Sequence, residues 1–218
     1  MAGGASTPRT RVRRLPKRGG YDRAAIDPIL DEALIAHLGF VVDGQPFVIP
    51  TLHARVGDVV YVHGSAASRT LKHLAQGFPA CLTVTLVDGL VLARSIFNHS
   101  MNYRSVVLLG QAEPITEQQE KLEALVAFSE KILPGRWDEV REPSTKELKA
   151  TSILRLPITE ASAKVRTGPP GDDEPDYAIP VWAGVIPTAL AQGTPVPDPK
   201  LTFELPAPRW DRLPKRVK

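Results

Sequence analysis

Apolar residues in this chain come in short runs, and turns bearing glycine or proline break most of them before a long helix can form. Residues 38–42 read as a strand, 43–46 as a turn and 47–54 as a second strand; Gly57-Asp58 then leads into a third strand over 59–63. Three antiparallel strands joined this tightly make a meander. Two long strands are expected at 80–87 and 90–97, joined at Asp88-Gly89, a dipeptide that favours tight hairpin turns. Further strands are expected at 103–112, 151–158 and 162–165. Helices are few. One is expected to start with Asp27 as its cap and Pro28 in its first turn, followed by Ile29, Leu30, Ala33 and Leu34 at helical spacing. A short one carries Leu71 and Leu74 inward. A longer one spans 117–133, with Leu122, Leu125, Val126, Ser129 and Ile132 along its inner side. Many short antiparallel strands with few helices predict a small, mainly β barrel with helices packed outside. A doubly wound parallel fold is disfavoured: helices do not alternate with strands, and no Gly-x-Gly-x-x-Gly follows a strand.

Charge divides the chain into three parts. The net charge is +3, yet residues 1–20 hold six basic and no acidic side chains, and residues 209–218 hold five basic and one acidic. The body between them is acidic. The expected organisation is therefore a basic N-terminal arm over 1–20, one folded domain over 21–190, and a Pro-rich basic tail over 191–218. A nucleic-acid partner is not expected, because a duplex-binding domain carries its basic face on the folded core. No apolar run approaches the roughly 20 residues that span a bilayer, and no apolar segment follows the basic residues between Arg9 and Arg18 as a secretory signal would require. A cytoplasmic location is expected. Cys81, the single cysteine, lies in a strand-like run and reads as a core thiol.

Two clusters carry possible chemistry. In the first, the small residues Gly64-Ser65-Ala66-Ala67 precede Ser68, Arg69 and Lys72 at a helix start. Small residues let a ligand approach the backbone, and a helix start with an arginine, a lysine and a hydroxyl suits phosphate; an ordinary capped surface helix is the alternative. The second is the polar run from Asn98 to Ser105, including His99, Asn102, Tyr103 and Arg104, set between two apolar strands. It could bond a polar ligand ring, or satisfy its own backbone. No histidine pair or cysteine pair has zinc-like spacing, so no metal site is expected.

Residues 11–190 resemble the FMN-binding flavoproteins related to pyridoxamine-phosphate oxidase, in the subgroup with the nitroimidazole reductases. The resemblance is carried by Arg11-Val12-Arg13-Arg14-Leu15-Pro16, Gly44-Gln45-Pro46 with Ile49-Pro50-Thr51, and Tyr61-Val62-His63-Gly64-Ser65. It continues through residues 88–95, Ser100-Met101-Asn102-Tyr103-Arg104-Ser105-Val106, Ala163-Lys164-Val165-Arg166-Thr167-Gly168 and Val181-Trp182-Ala183-Gly184-Val185-Ile186-Pro187. It implies a six-stranded antiparallel split barrel forming a homodimer, with FMN held between subunits. Pro50, Thr51 and Leu52 would lie along the isoalloxazine ring. Ser68, Arg69 and Lys72 would hold the phosphate. Asn102, Tyr103, Arg104 and Ser105 would approach the flavin, with Lys164 and Trp182 on the outer side of the pocket. The activity implied is a flavin-dependent oxidoreductase acting on a small planar acceptor, with Arg104 or Lys164 steadying the reduced ring. A deazaflavin in place of FMN, a non-catalytic flavin carrier, or a haem-binding barrel using one of His37, His53, His63, His73 and His99, with His63 or His99 best placed, are the alternatives. The C-terminal Arg-x-His pattern of the true oxidase is missing; Arg209-Trp210-Asp211-Arg212 stands nearest to it. Vitamin B6 synthesis is therefore not expected.

Overall fold

A two-residue turn sets the register of the whole sheet. Asp43 and Gly44 both take positive φ, 49° and 78°, the backbone that a tight hairpin between twisted strands requires. The computed structural model describes residues 6–191 and 193–208; Arg209-Trp210-Asp211-Arg212 and the rest of the tail beyond 208 lie outside them. The turn places Val42 opposite Gln45 and joins β2 (Ile35–Val42) to β3 (Gln45–Val56). Residues 45–52 of β3 pair with β2, whereas residues 53–56 pair with β4 (Val59–Ser65). One strand thus passes from one half of the barrel to the other.

Beyond β4 lie β8 (Thr151–Pro157) and the short β7 (Glu113–Pro114). On the other flank β2 pairs with β5 (Pro79–Leu92), then β6 (Ser100–Gln111), β9 (Glu160–Arg166) and β1 (Gly19–Gly20). Strand β10 (Gly184–Pro187) joins the far half of β5. Every pairing is antiparallel, as expected. The sheet has ten strands rather than six, and β1, β7 and β10 are four residues or shorter.

Alternation fills the barrel. Leu38, Leu82, Val84, Val106, Leu108, Val60, Leu154 and Leu156 point inward and are almost wholly buried. Helix α1 (Arg23–Glu32) adds Ile26, Ile29 and Leu30 to the same core. Each such side chain contributes about 1.5–3 kcal/mol on burial. Helix α3 (Gln118–Ile132) packs Ala124 and Phe128 against Ala54, Tyr61 and Ile153 on the outside of β3, β4 and β8. Helices α2 (Arg69–Leu74) and α4 (Thr145–Ala150) are short. No described helix is long and apolar enough to cross a membrane.

Several local expectations are corrected. Helix α1 starts at Asp22, whose carboxylate accepts the Ala25 N–H at 2.8 Å. Asp27 instead pairs with Arg23 and Arg55, and Pro28 lies inside the helix. Burying Ile26 one turn earlier outweighs the bond Pro28 cannot make. Asp88-Gly89 is no hairpin: β5 runs straight through it with a register shift. A Cβ on Gly89 would stand 2.8 Å from Val185 Cγ1 and 3.1 Å from the Ile186 carbonyl, so glycine here admits β10. The turn back to β6 comes later, through a 3₁₀ turn at Ile96–Asn98. On α3 the buried positions are Ala124 and Phe128, while Ile132 is exposed; the meeting face is set by Tyr61 and Ile153 and not by the most apolar stripe. The segment ahead of α1 lies along β9: Thr7 and Arg9 both bond Glu160, and Gly19 pairs with Lys164.

Candidate functional site

The first half of β3 is paired on one side only. The turn at 43–44 makes Val42 and Gln45 a hydrogen-bonded pair, so residues 46, 48, 50 and 52 direct their backbone groups away from β2. Two of these are Pro46 and Pro50, which lack an N–H and lose no ladder bond there. The free edge therefore presents carbonyls together with the N–H groups of Val48 and Leu52. Pro50 is exposed, and Thr51 and Leu52 are half-buried; the Thr51 hydroxyl donates to the Leu52 carbonyl at 3.2 Å. Val41, Phe47, Val48 and Ile49 are all at least 40% exposed. A groove of about 580 Å³ runs over the outer face that carries Val41 and Val48, with Gly39 and Gly110 in its wall, while Ile49 and Phe47 project on the side of Leu38 and Phe40.

Helix α2 begins where β4 leaves β3. The Ser68 hydroxyl caps it, accepting the Leu71 N–H at 3.4 Å. Leu71 and Leu74 are buried, which leaves Arg69 and Lys72 on the exposed side of the helix. Neither cation has a side-chain partner among the described residues. The same helix touches the β2–β3 hairpin: the His73 ring lies 5.8 Å from Phe40, which stacks on Phe47 at 5.7 Å.

The 102–105 segment behaves differently. Arg104 bonds Asp88 through Nε and Nη2 at 2.9 and 2.8 Å, and Glu32 through Nη1 and Nη2 at 2.5 and 3.0 Å. These two carboxylates hold its guanidinium well above the usual range. Within the single chain Arg104 is thus engaged by two carboxylates. Asn102 is buried; its amide donates to the Gly168 carbonyl at 3.1 Å and its oxygen accepts from Arg166. The Ser105 hydroxyl donates to the Lys164 carbonyl at 3.3 Å. Tyr103 is half-buried opposite Arg166. Trp182, 62% exposed, covers Gly184 at the start of β10. The twelve expected residues therefore fall into separate groups in one chain. Residues 102–105 and Lys164 lie on β6 and β9, and β5 and β2 stand between β6 and β3. Three strand spacings amount to about 14 Å.

Cys81 is a further correction. It sits on the outer face of β5 and lines the groove, because Ala80 and Leu82 take the inward positions. Partial burial pushes its thiol up, which keeps it protonated and unreactive. The histidines differ in what their nitrogens can do. His53 is fully buried under α1, with Nε2 2.9 Å from the Leu30 carbonyl, and burial with the Lys131 charge lowers it to about 4. His63 rests against Phe128 at 4.2 Å with Nδ1 buried, and burial lowers it as well. His73 stacks on Phe78 at 4.1 Å with Nε2 buried. His37 is exposed on the sheet face opposite Pro50. His99 is exposed, with Nδ1 2.8 Å from the Ser95 carbonyl.

The fold agrees with what comparison finds. Residues 22–165 match the family profile described as pyridoxamine 5'-phosphate oxidase. The chain belongs to the pyridoxamine 5'-phosphate oxidase-like family. Within that fold it is similar to the flavocytochrome Anf3 from Azotobacter vinelandii, with 47% identity over 94% of this chain and 95% of that one, and a TM-score of 0.88. It is also similar to the FAD and heme binding protein from Mycobacterium smegmatis, with 38% identity over 88% and 94% of the two chains and a TM-score of 0.84. A putative 5-nitroimidazole antibiotic resistance protein from Bacteroides thetaiotaomicron shares the oxidase-like fold at 22% identity, covering 66% of this chain and 84% of that one with a TM-score of 0.56. No curated protein matches the chain. Sequence reasoning overlooked Glu32 and Asp88 as the partners of Arg104, because Glu32 lies 72 residues away. It also overlooked Ile96 and Phe97, whose apolar character looked like the end of a strand.

Proposed function

We propose that this chain is a flavin-binding redox protein that works as a homodimer and carries a haem as a second cofactor. The reading is carried by the near full-length likeness, at 47% and 38% identity, to a flavocytochrome and to an FAD and heme binding protein. The residues present fit a flavin. The free edge of β3 provides backbone donors and acceptors suited to the polar edge of its ring, and Arg69 and Lys72 leave two unpaired cations for its phosphate. FMN is the expectation from the sequence; the name of the mycobacterial relative adds FAD.

A bound flavin would supply hydride or single-electron chemistry, and the protein's part is position, charge and exclusion of water. Pro46 and Pro50 keep the β3 edge from being taken by another strand. Val48 and Leu52 orient the ring through their backbone groups. Phe47, Val48 and Ile49 exclude water when a second copy covers them, and that copy brings its own 102–105 strand and Lys164 toward the edge that in a single chain lies three and four strands away across the sheet. Lys164, unlike Arg104, has no carboxylate partner among the described residues and is the cation available to the reduced ring. The acceptor is a small planar molecule.

Purification tests the reading. The protein should be coloured, and heating should release a flavin whose mass distinguishes FMN from FAD. Colourless protein that takes up neither flavin on titration would refute it.

A further inference from the structure

We propose that His99 is the axial ligand of a haem iron and that the turn carrying it, with the apolar stripe beside it, is the seat of the porphyrin. The proposal rests on the haem reading above and names the residue responsible.

The Ser95 carbonyl can only accept, so its 2.8 Å contact fixes the proton of His99 on Nδ1. The Nε2 lone pair is then left free on an exposed ring. A backbone carbonyl holding the far nitrogen is how proteins orient an imidazole for a metal. Among the described residues no other histidine combines these features. His53 bonds a carbonyl, but its remaining nitrogen is buried. His73 has Nε2 buried, His63 has no carbonyl on either nitrogen, and His37 makes no bond through its ring.

The turn is anchored firmly. Ser95 caps it by accepting the Asn98 N–H at 3.3 Å. Arg94 places its backbone N–H and its Nη1 on the buried carboxylate of Asp172, at 2.9 and 3.0 Å, and lays its guanidinium 4.8 Å from the Tyr177 ring centroid. On this fixed turn Ile96 and Phe97 are 91% and 94% exposed. Beside it the register puts Ile186 opposite Leu90 and Leu90 opposite Met101, a row of three half-exposed apolar side chains across β10, β5 and β6. A single oriented imidazole beside a broad apolar shelf suits an iron that brings its own ring of ligands. It does not suit a protein-chelated ion, and no group of three or more metal-binding side chains gathers among the described residues.

The test is reconstitution of the full chain with haem, read by the Soret band, by ferric electron paramagnetic resonance and by haem-to-protein ratio, with circular dichroism to check the fold. His99→Gly should lose the histidine-ligated spectrum and regain it on adding imidazole, while His63→Gly keeps it. Ile96→Ser with Phe97→Ser should lower haem uptake. A His99→Gly spectrum identical to that of the parent protein would overturn the assignment. So would an Ile96→Ser, Phe97→Ser protein that binds haem unchanged but falls apart into monomers, since the shelf would then belong to the subunit contact. A parent protein that takes up flavin but no haem would sink the haem reading itself and leave the flavin site standing.

Discussion

Arg104 and Arg69 show how differently two arginines of similar promise can be used. Arg104 sits between Glu32 and Asp88, all three about three-quarters buried, and removing it leaves two carboxylates facing each other. Arg104→Met should lower stability by about 1.5–3 kcal/mol, the range for bonds to charged groups, in urea denaturation, while the folded protein keeps its flavin affinity. Arg69 has no such duty. Arg69→Ala should weaken FMN binding by about 1.5–3 kcal/mol and leave riboflavin binding nearly unchanged in parallel titrations; equal weakening of both would move the phosphate elsewhere. The density of polar side chains at 98–105 was legible in the sequence, but not the carboxylates that claim Arg104, because such pairings depend on the sheet. His53 is a third case. Its folded value of about 4 lies below the ordinary 6.5, so the unfolded chain binds the extra proton in that interval. The stability it contributes is complete above 6.5 and is lost as pH falls toward 4, by about 3 kcal/mol. Urea midpoints at neutral pH and at about pH 4 should converge in His53→Gln relative to the parent.

At the scale of elements, the meander from β2 to β4 could be read from the chain because each turn is chemically forced. Asp43-Gly44 accepts positive φ at both positions, and Gly57 does so at φ 54°. Asp88-Gly89 has the same letters but a different cause: its glycine is needed for the approach of β10, a partner almost a hundred residues later that local pattern cannot reveal. Gly89→Val should therefore detach β10 and leave β5 paired with β6. Hydrogen exchange would show faster exchange at residues 184–187 and unchanged protection at 104–108; equal loss along both would mean the bulge supports the whole hairpin. The α1 start at Asp22 has a related cause, since Asp27-Pro28 is a good local cap but Ile26 is needed in the core. The prolines of β3 carry a prediction of their own. Pro46→Ala with Pro50→Ala restores two outward N–H groups without touching the β2 ladder, so thermal stability should hold while light scattering reports edge-to-edge association.

For the molecule as a whole, the antiparallel barrel and its outer helices follow from strand-sized runs and turn chemistry, both visible in the sequence. The arrangement of the site does not, since the expected residues lie on β3, on α2, on β6 with β9, and ahead of β10. A single barrel keeps those groups apart, and the apolar side chains of Phe47 and Val48 along the β3 edge are left exposed. Both features have one remedy in the proposed account, a second copy laid against the β3 edge with flavin at the seam. Size-exclusion chromatography with flavin absorbance followed alongside protein tests this most directly. One peak at twice the chain mass with flavin co-eluting is expected, and Val48→Lys should shift it to the monomer position with the flavin released. A monomer that retains its flavin, or a dimer that never binds any, would contradict it.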